Sequence, residues 1–417
     1  MTGWLDRSAP REALGPGQPL RILVVIPTYL PAVRFGGPIV AAHGLSRALA
    51  DVGHDVQVLT TDADVDGRLA VPVDTPVVRD GVTINYFPYR SHFAGLGRRL
   101  YVAPRLAEAA TRLLPHADIV HLHSVFLWPT LRVARLAAKA GKPYVVTPHG
   151  MLDDVLIKAR GRVRKRLWIA LFERRTLQEA AAIHATSELE VQQLEQMGFG
   201  PPALRRVANG LDADLTASPA EPAAARRAGE VLCLGRLNWK KGCEVLLDAI
   251  ARLPAATLTF AGTGEAHYVE SLKRRAMNLG IGTRVRFEGQ VGPDARRALL
   301  DRAQCLALPS RSENFALVVA EAMVRRCPVV VSEAVGLATA VRDAGAGFVV
   351  PDGAPALETA LRQVLAGPAA AAEMGRRGRR YALEHFSWER VVPQMESLYR
   401  DAMAAAYPAR SRGQRSC

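Results

Sequence analysis

Twice along this chain short apolar runs alternate with helical segments, and the two series are separated by residues 213–229, rich in Ala, Pro and Arg and without apolar periodicity. Continuous apolar strands with helices between them belong to parallel sheets covered on both faces, because every crossover lays its helix on a face. The first series predicts strands over 22–26, 56–60, 119–123, 144–147, 181–186 and 206–208; the second predicts them over 231–234, 258–261, 285–287, 305–308, 329–331 and 348–350. A chain of 417 residues also exceeds one ordinary hydrophobic core and suits two of about 200 residues each. The expected fold class is α/β: two Rossmann-like, doubly wound parallel-sheet domains facing across a cleft. Domains are expected over 20–212 and 230–387, with 1–19 a flexible tail, 213–229 the linker, and a final helix over 388–405 crossing back onto the first domain.

Local punctuation agrees with this division. Pro38 opens and Gly53 closes a predicted helix over 38–52, and Ser187-Glu188-Leu189-Glu190 fits a capping box. At 49% hydrophobic and 23% charged, the chain reads as globular rather than disordered. The first 19 residues, with Gly3, Pro10, Gly15, Pro16, Gly17 and Pro19, lack the apolar segment of a signal peptide. No run approaches the roughly 20 apolar residues that span a bilayer. Cysteines at 233, 243, 305, 327 and 417 form no CxxC pair and no Cys/His cluster, which argues against structural zinc and a disulfide framework and for a reducing cytosol.

The formal charge of +14 favours anionic partners: nucleic acid, an anionic membrane surface or a phosphorylated substrate. A basic run contributes Lys158, Arg160, Arg162, Arg164, Lys165, Arg166, Arg174 and Arg175, beside an apolar stripe of Val163, Leu167, Ala170 and Leu171. It reads either as a membrane-facing amphipathic helix or as a solvated helix whose stripe packs on the core.

Ligands of doubly wound sheets sit at the carboxyl ends of the strands, so the loops there carry the candidates. After the first strand comes Phe35-Gly36-Gly37-Pro38, where glycines admit a close backbone approach and the next helix offers N–H groups to phosphate, although a tight turn explains them equally. The spacing is not GxGxxG, and Thr60 and Thr61, not an acidic residue, end the second strand, which weakens a dehydrogenase reading. Thr147 runs into Pro148-His149-Gly150, placing a histidine able to exchange hydrogen bonds with a substrate hydroxyl. His121 and His123 share one face of their strand and are as readily structural as functional.

In the second half, Arg236 and Lys241 stand five apart where a loop opens a helix, a pairing that suits a diphosphate: the guanidinium forks two oxygens and the ammonium acts as a point charge. Gly262 and Gly264 follow the next strand and would bring backbone amides to the same ligand. The run Ser312-Glu313-Asn314-Phe315-Ala316-Leu317 predicts Glu313 at a helix N-terminus, with Glu321 eight residues further along. Eight helical residues rise about 12 Å, too far for the carboxylate pair of a retaining glycoside hydrolase, which spans about 5 to 5.5 Å. That spacing suits two points along one extended ligand.

As an ordered set, Gly36-Gly37, Pro148-His149-Gly150, Asn209-Gly210-Leu211-Asp212, Arg236 with Lys241-Gly242, and Glu313 with Glu321 resemble the retaining glycosyltransferases of family 4, over about residues 20–405. The resemblance implies the GT-B architecture, a nucleoside-diphosphate sugar as co-substrate, no cofactor and no metal. It implies further that Arg236 and Lys241 hold the diphosphate, Glu313 and the amides of Asn314 and Phe315 the donor sugar, Glu321 the ribose, Gly37 the donor phosphate, and that His149 touches the sugar near its anomeric centre. Residues 147–190 are similar to members from bacterial polysaccharide gene clusters, which implies a glycan or lipid-linked glycan acceptor. The cationic surface fits such a membrane-bound acceptor, so the expected enzyme is cytoplasmic, peripheral on the inner face of an anionic membrane, with no nucleic-acid partner. Two positions depart from the family: Arg326 and Ala316 stand where glycine is common. A nucleotide-sugar epimerase of the same architecture and a non-enzymatic basic protein that binds anionic surfaces remain the rival readings.

Overall fold

The computed structural model describes residues 17–90, 100–159, 162–198, 204–216 and 226–406. Most of the expected tail, most of the expected linker, and residues 160 and 161 of the basic run lie outside the described residues. The chain divides into two compact units, one built from Met1–Thr186, Glu190–Val207 and Val391–Cys417, the other from Ser187–Leu189 and Ala208–Arg390.

In the first unit the strands are β1 (Arg21–Val25), β2 (Asp55–Thr61), a short antiparallel pair β3 (Ala63–Asp64) and β4 (Gly67–Arg68), β5 (Val77–Arg79), β6 (Val82–Phe87), β7 (Ile119–His123), β8 (Tyr144–Thr147), β9 (Ala182–Ala185) and β10 (Leu204–Arg206). Eight of them form one sheet in the order β10-β9-β8-β7-β1-β2-β6-β5, parallel throughout except for the β5–β6 hairpin. Leu23, Val25, Leu122 and Val146 are buried in one cluster with Leu106 and Ala110 of the helix Pro104–Leu113 and Val133 and Ala137 of the helix Trp128–Lys139. The terminal helix Trp388–Ala406 is tied to this unit from Val391 onward: the Tyr399 hydroxyl lies 2.8 Å from His121 Nδ1, and Glu396 Oε1 lies 2.8 Å from His54 Nε2.

The second unit contains β11 (Arg227–Leu234), β12 (Thr257–Ala261), β13 (Val285–Gly289), β14 (Ala303–Leu308), β15 (Val329–Ser332) and β16 (Gly347–Val350), all parallel, in the order β13-β12-β11-β14-β15-β16. Alternation along β11 feeds two cores, as strand geometry requires. Val231 and Cys233 pack with the helix Cys243–Ala251, while Leu232 and Leu234 pack with the helix Leu317–Val324.

Several strands differ from the sequence expectation. The strands β3 to β6 have no predicted counterpart; Thr83 and Asn85 break the apolar run of β6, although Asn85 is buried, its amide 3.5 Å from the Val58 carbonyl. The strand expected at 206–208 is β10, two residues earlier, where exposed Arg205 and Arg206 give an edge strand the look of a loop. The strand β11 begins inside the expected linker, at Arg227, because Glu230 is drawn into the sheet by Arg302, whose Nε donates to Glu230 Oε1 at 2.8 Å.

Candidate functional site

In each sheet the strand order reverses direction at one place, between β1 and β7 in the first unit and between β11 and β14 in the second. Loops leaving the carboxyl ends of strands at such a switch point diverge to opposite faces and leave a crevice. The expected residues fall on these loops.

In the second unit, the loop after β11 carries Arg236, then a 3-10 turn Trp239–Lys241 whose first amides are capped by Asn238, its side-chain oxygen accepting from the Lys240 amide at 3.0 Å. Gly242 follows at φ +64, and a Cβ there would stand 2.1 Å from the Pro309 carbonyl oxygen. This close approach locks the loop after β11 against the loop after β14. The lock sets Lys241 Nζ 2.6 Å from Glu313 Oε2, with side chains 12% and 24% exposed. Arg236, by contrast, is exposed and meets no hydrogen-bond or ion-pair partner among the described residues.

Glu313 is not at a helix N-terminus. It lies in an extended loop, its amide donating to the Ala334 carbonyl at 3.0 Å and its carbonyl accepting from the Gly336 amide at 2.8 Å. The helix begins only at Leu317, after Ala316 has turned through a left-handed φ of +68. The periodic apolar positions from Phe315 onward placed the helix start too early, because Phe315 is buried against Phe386 without being helical. A 12 Å helical rise between the two glutamates therefore does not apply. Since the Phe315 side chain belongs to the core, any ligand contact there falls to its backbone.

Glu321 is helical but not a solvated residue: it is 6% exposed and ion-paired with Arg296 of the helix Pro293–Arg302. Burial raises its carboxyl above the ordinary range, Arg296 opposes that shift, and Asp212 reinforces it. Arg296 is absent from the sequence expectation, since nothing in the pattern of an exposed crossover helix singles out one of its two adjacent arginines.

Gly262 and Gly264 also have a packing role that the sequence does not announce. The Gly262 amide donates to the Gly289 carbonyl at 2.7 Å, so it is not available to a phosphate, and Cβ atoms at 262 and 264 would meet the carbonyl oxygens of Gly235 at 2.0 Å and Leu237 at 2.4 Å. These glycines let the loops after β11 and β12 pack on each other.

In the first unit, Gly36 adopts φ +109 and caps the helix Gly37–Asp51, and Gly37 is exposed at the first helical position. His149 and Gly150 follow β8 in consecutive left-handed conformations, φ +56 and +70. A buried Glu190 secures this turn: Oε1 accepts from the Gly150 amide at 2.6 Å, and Oε2 from the Thr186 amide at 2.8 Å. The capping-box glutamate thus reaches across to the histidine turn. His149 is buried, its Nε2 lies 2.9 Å from His123 Nδ1, and burial followed by the proximity of His184 lowers its pKa to about 3. Beneath it, His184 Nε2 donates to the Val207 carbonyl (2.8 Å), the Thr147 hydroxyl donates to His184 Nδ1 (2.9 Å), and His121 Nε2 donates to Thr147 Oγ1 (2.7 Å), which leaves His121 Nδ1 to accept from Tyr399. The carbonyl fixes every tautomer in that chain, because it can only accept.

The sequence also matches two family models, "Glycosyl transferase 4-like domain" over residues 36–210 and "Glycosyl transferases group 1" over residues 217–381. A D-inositol 3-phosphate glycosyltransferase of Geodermatophilus obscurus is 30% identical over 406 residues, covering 89% of this chain and 86% of the relative. The chain belongs to the group 1, family 4 glycosyltransferases. Among solved structures, sucrose-phosphate synthase from Thermosynechococcus elongatus is similar with a TM-score of 0.76 at 22% identity, covering 93% of this chain and 100% of that one. The Anabaena protein HepE, solved in complex with UDP-glucose, has a TM-score of 0.68 at 20% identity, covering 91% and 99%. The two units of this glycosyltransferase are thus the two parallel-sheet domains of a GT-B fold.

Proposed function

We propose that this glycosyltransferase moves a sugar from a nucleoside diphosphate to a hydroxyl acceptor with retention at the anomeric carbon, without a metal or other cofactor. The observation that carries the reading is the Lys241–Glu313 pair, 2.6 Å apart at the switch point of the second sheet. In this reading Arg236 and Lys241 hold the diphosphate and Glu313, with the backbone at Asn314 and Phe315, the donor sugar; Glu321 receives the ribose, Gly36 and Gly37 approach the donor phosphate, and His149 meets the sugar. Charge develops on the departing phosphate, and Arg236 and Lys241 supply cations already in place to receive it. The leaving phosphate takes the proton of the attacking hydroxyl, which enters on the face it vacates.

The nucleotide sugar of this reading finds support in the UDP-glucose bound by HepE on the same fold. Thermal-shift screening of nucleotide sugars, followed by product analysis with and without acceptor, tests it: transfer requires an acceptor, whereas epimerisation of the nucleotide sugar without one would overturn it. Lys241→Ala and Glu313→Ala each lower transfer by about a hundredfold or more.

The acceptor is a glycan or lipid-linked glycan in polysaccharide biosynthesis, met by an enzyme peripheral to the cytoplasmic face of an anionic membrane. The helix Arg162–Trp168 and its continuation through Glu173 support this, because Val163, Leu167 and Leu171 are 81%, 57% and 60% exposed. The apolar stripe therefore does not pack on the core, and exposed Arg166, Arg174 and Arg175 accompany it. No helix among the described residues is long and apolar enough to cross a membrane. The full-length protein should co-sediment with phosphatidylglycerol vesicles at low salt and Leu167→Ser/Leu171→Ser should not; equal sedimentation of both would refute this docking.

A further inference from the structure

His123 stands apart from the fixed chain of its neighbours. Its ring lies 4.0 Å, centroid to centroid, from that of His121 without a hydrogen bond between them, and its one polar contact among the described residues is Nδ1 to His149 Nε2 at 2.9 Å. The rings of His123 and His149 lie 18° from parallel with centroids 5.2 Å apart, so they meet edge to edge, as an N–H···N hydrogen bond requires. Its other nitrogen, Nε2, is buried and meets no donor or acceptor among the described residues. Burial holds both rings neutral, since the charged form of each is disfavoured by desolvation and by the neighbouring histidines.

Two neutral imidazoles joined by one N···N contact share one proton, and there are two ways to place it. If His149 Nε2 carries it, His123 Nδ1 accepts, and the only remaining hydrogen of His123 is a buried Nε2–H with no acceptor. If His123 Nδ1 carries it, His123 Nε2 is a bare lone pair. Orphaned buried N–H groups are rarer in folded proteins than acceptors left without a donor. The second arrangement wins. It leaves His149 with its single proton on Nδ1, the tautomer that is set by what the other ring nitrogen accepts.

We propose that His123 is a positioning residue for sugar transfer: its Nδ1–H donates to His149 Nε2 and thereby holds His149 as the Nδ1–H tautomer, ready to donate a hydrogen bond to an oxygen of the donor sugar. The second clause rests on the role given to His149 above; the first does not. Histidine at 123 also explains why the left-handed turn at His149 is held so firmly, by His123 on the ring and by Glu190 on the next amide.

The test is the 15N long-range correlation spectrum of the histidine-labelled full-length enzyme near pH 7, with His149→Gln used to assign the resonances. A protonated Nδ1 and a bare Nε2 on His149 are expected; a protonated Nε2 in the native enzyme overturns the proposal. Transfer kinetics test the second clause independently. His123→Leu removes the hydrogen-bond donor and should lower kcat by about tenfold or more while leaving KM for the acceptor within about twofold, a fraction of the loss on removing a transition-state donor outright. His123→Asn, whose amide N–H occupies the place of Nδ1–H, should recover most of that loss. An Nδ1–H tautomer in the native enzyme together with an undiminished kcat in His123→Leu overturns the positioning role, whereas an undiminished kcat in His149→Gln overturns the place of His149 in transfer; either result leaves the remainder of the site untouched.

Discussion

Replacing Glu313 by glutamine separates ground-state binding from turnover. At 2.6 Å the Lys241–Glu313 attraction is about 1.6 kcal/mol in bulk water and about 6 kcal/mol at an effective dielectric of about 20. Both groups keep some solvent contact, 12% and 24%, so screening and the entropy of holding a lysine in place leave a net on the order of 1 to 2 kcal/mol. A diphosphate arriving at Lys241 has to share the ammonium with that carboxylate and tolerate its charge. Glu313→Gln removes both obstacles, so a nucleoside diphosphate lacking the sugar should bind about 5- to 30-fold more tightly, since each 1.4 kcal/mol is tenfold. Turnover of the complete nucleotide sugar should fall about a hundredfold, because the carboxylate that grips the sugar is gone. Titration calorimetry with nucleoside diphosphates and steady-state transfer assays on the same preparation read the two effects. Weaker diphosphate binding, or unchanged turnover, would refute the reasoning that Glu313 competes with phosphate for Lys241 while serving the sugar.

Acid should weaken the first unit: His121, His123, His149 and His184 are all held neutral when folded, their pKa values depressed first by burial, to about 3 for His149 and about 4 for His184. The unfolded chain binds protons near pH 6.5 and the folded one does not, so stability falls as pH drops from about 6.5 toward the folded values, by up to about 1.4 kcal/mol per histidine at pH 5.5; a melting midpoint equal at pH 7.5 and 5.5 would contradict this. Gly242→Ala forces a Cβ against the Pro309 carbonyl at φ +64 and should destabilise by at least about 2 kcal/mol, read by denaturant unfolding, with nucleotide affinity lost alongside. Arg236→Ala should raise KM for the nucleotide sugar more than it lowers kcat, the reverse of Lys241→Ala, and a pure kcat effect at Arg236 would count against it.

How far the sequence reveals this site depends on what each residue's position obeys. The apolar runs at 119–123, 144–147 and 305–308 announce strands because a parallel sheet buries both faces, and in β14 the sequence hides only Gln304, a buried polar residue whose Oε1 accepts from the Gly229 amide at 2.6 Å. Arg236, Lys241 and Glu313 were found because they follow strands. Their pairing was not, because it depends on the strand order that sets β11 beside β14 and on the missing Cβ of Gly242. The left-handed turn at Ala316 left no mark in the apolar period, although alanine in place of the family's glycine was the available clue; Arg326, the other departure, is likewise left-handed, at φ +58. Arg296 and the tie between His149 and His123 come from packing between elements distant in the chain, where a sequence pattern carries no register.

The electrostatics of the second unit are settled before any ligand arrives. Lys241 is held by Glu313 and Glu321 by Arg296, so each carboxylate is matched by one cation, and of the residues assigned to the diphosphate only Arg236 stands uncompensated among the described residues. A diphosphate in its ground state is therefore drawn chiefly by Arg236. Lys241 gains most when the bond to the sugar breaks, because the charge that then grows on the leaving oxygen outcompetes a carboxylate already engaged with the sugar. An interaction that strengthens along the reaction coordinate lowers the barrier, whereas one of constant strength only tightens binding. The same pairing that weakens Lys241 as a binding group is what makes it selective for the transition state.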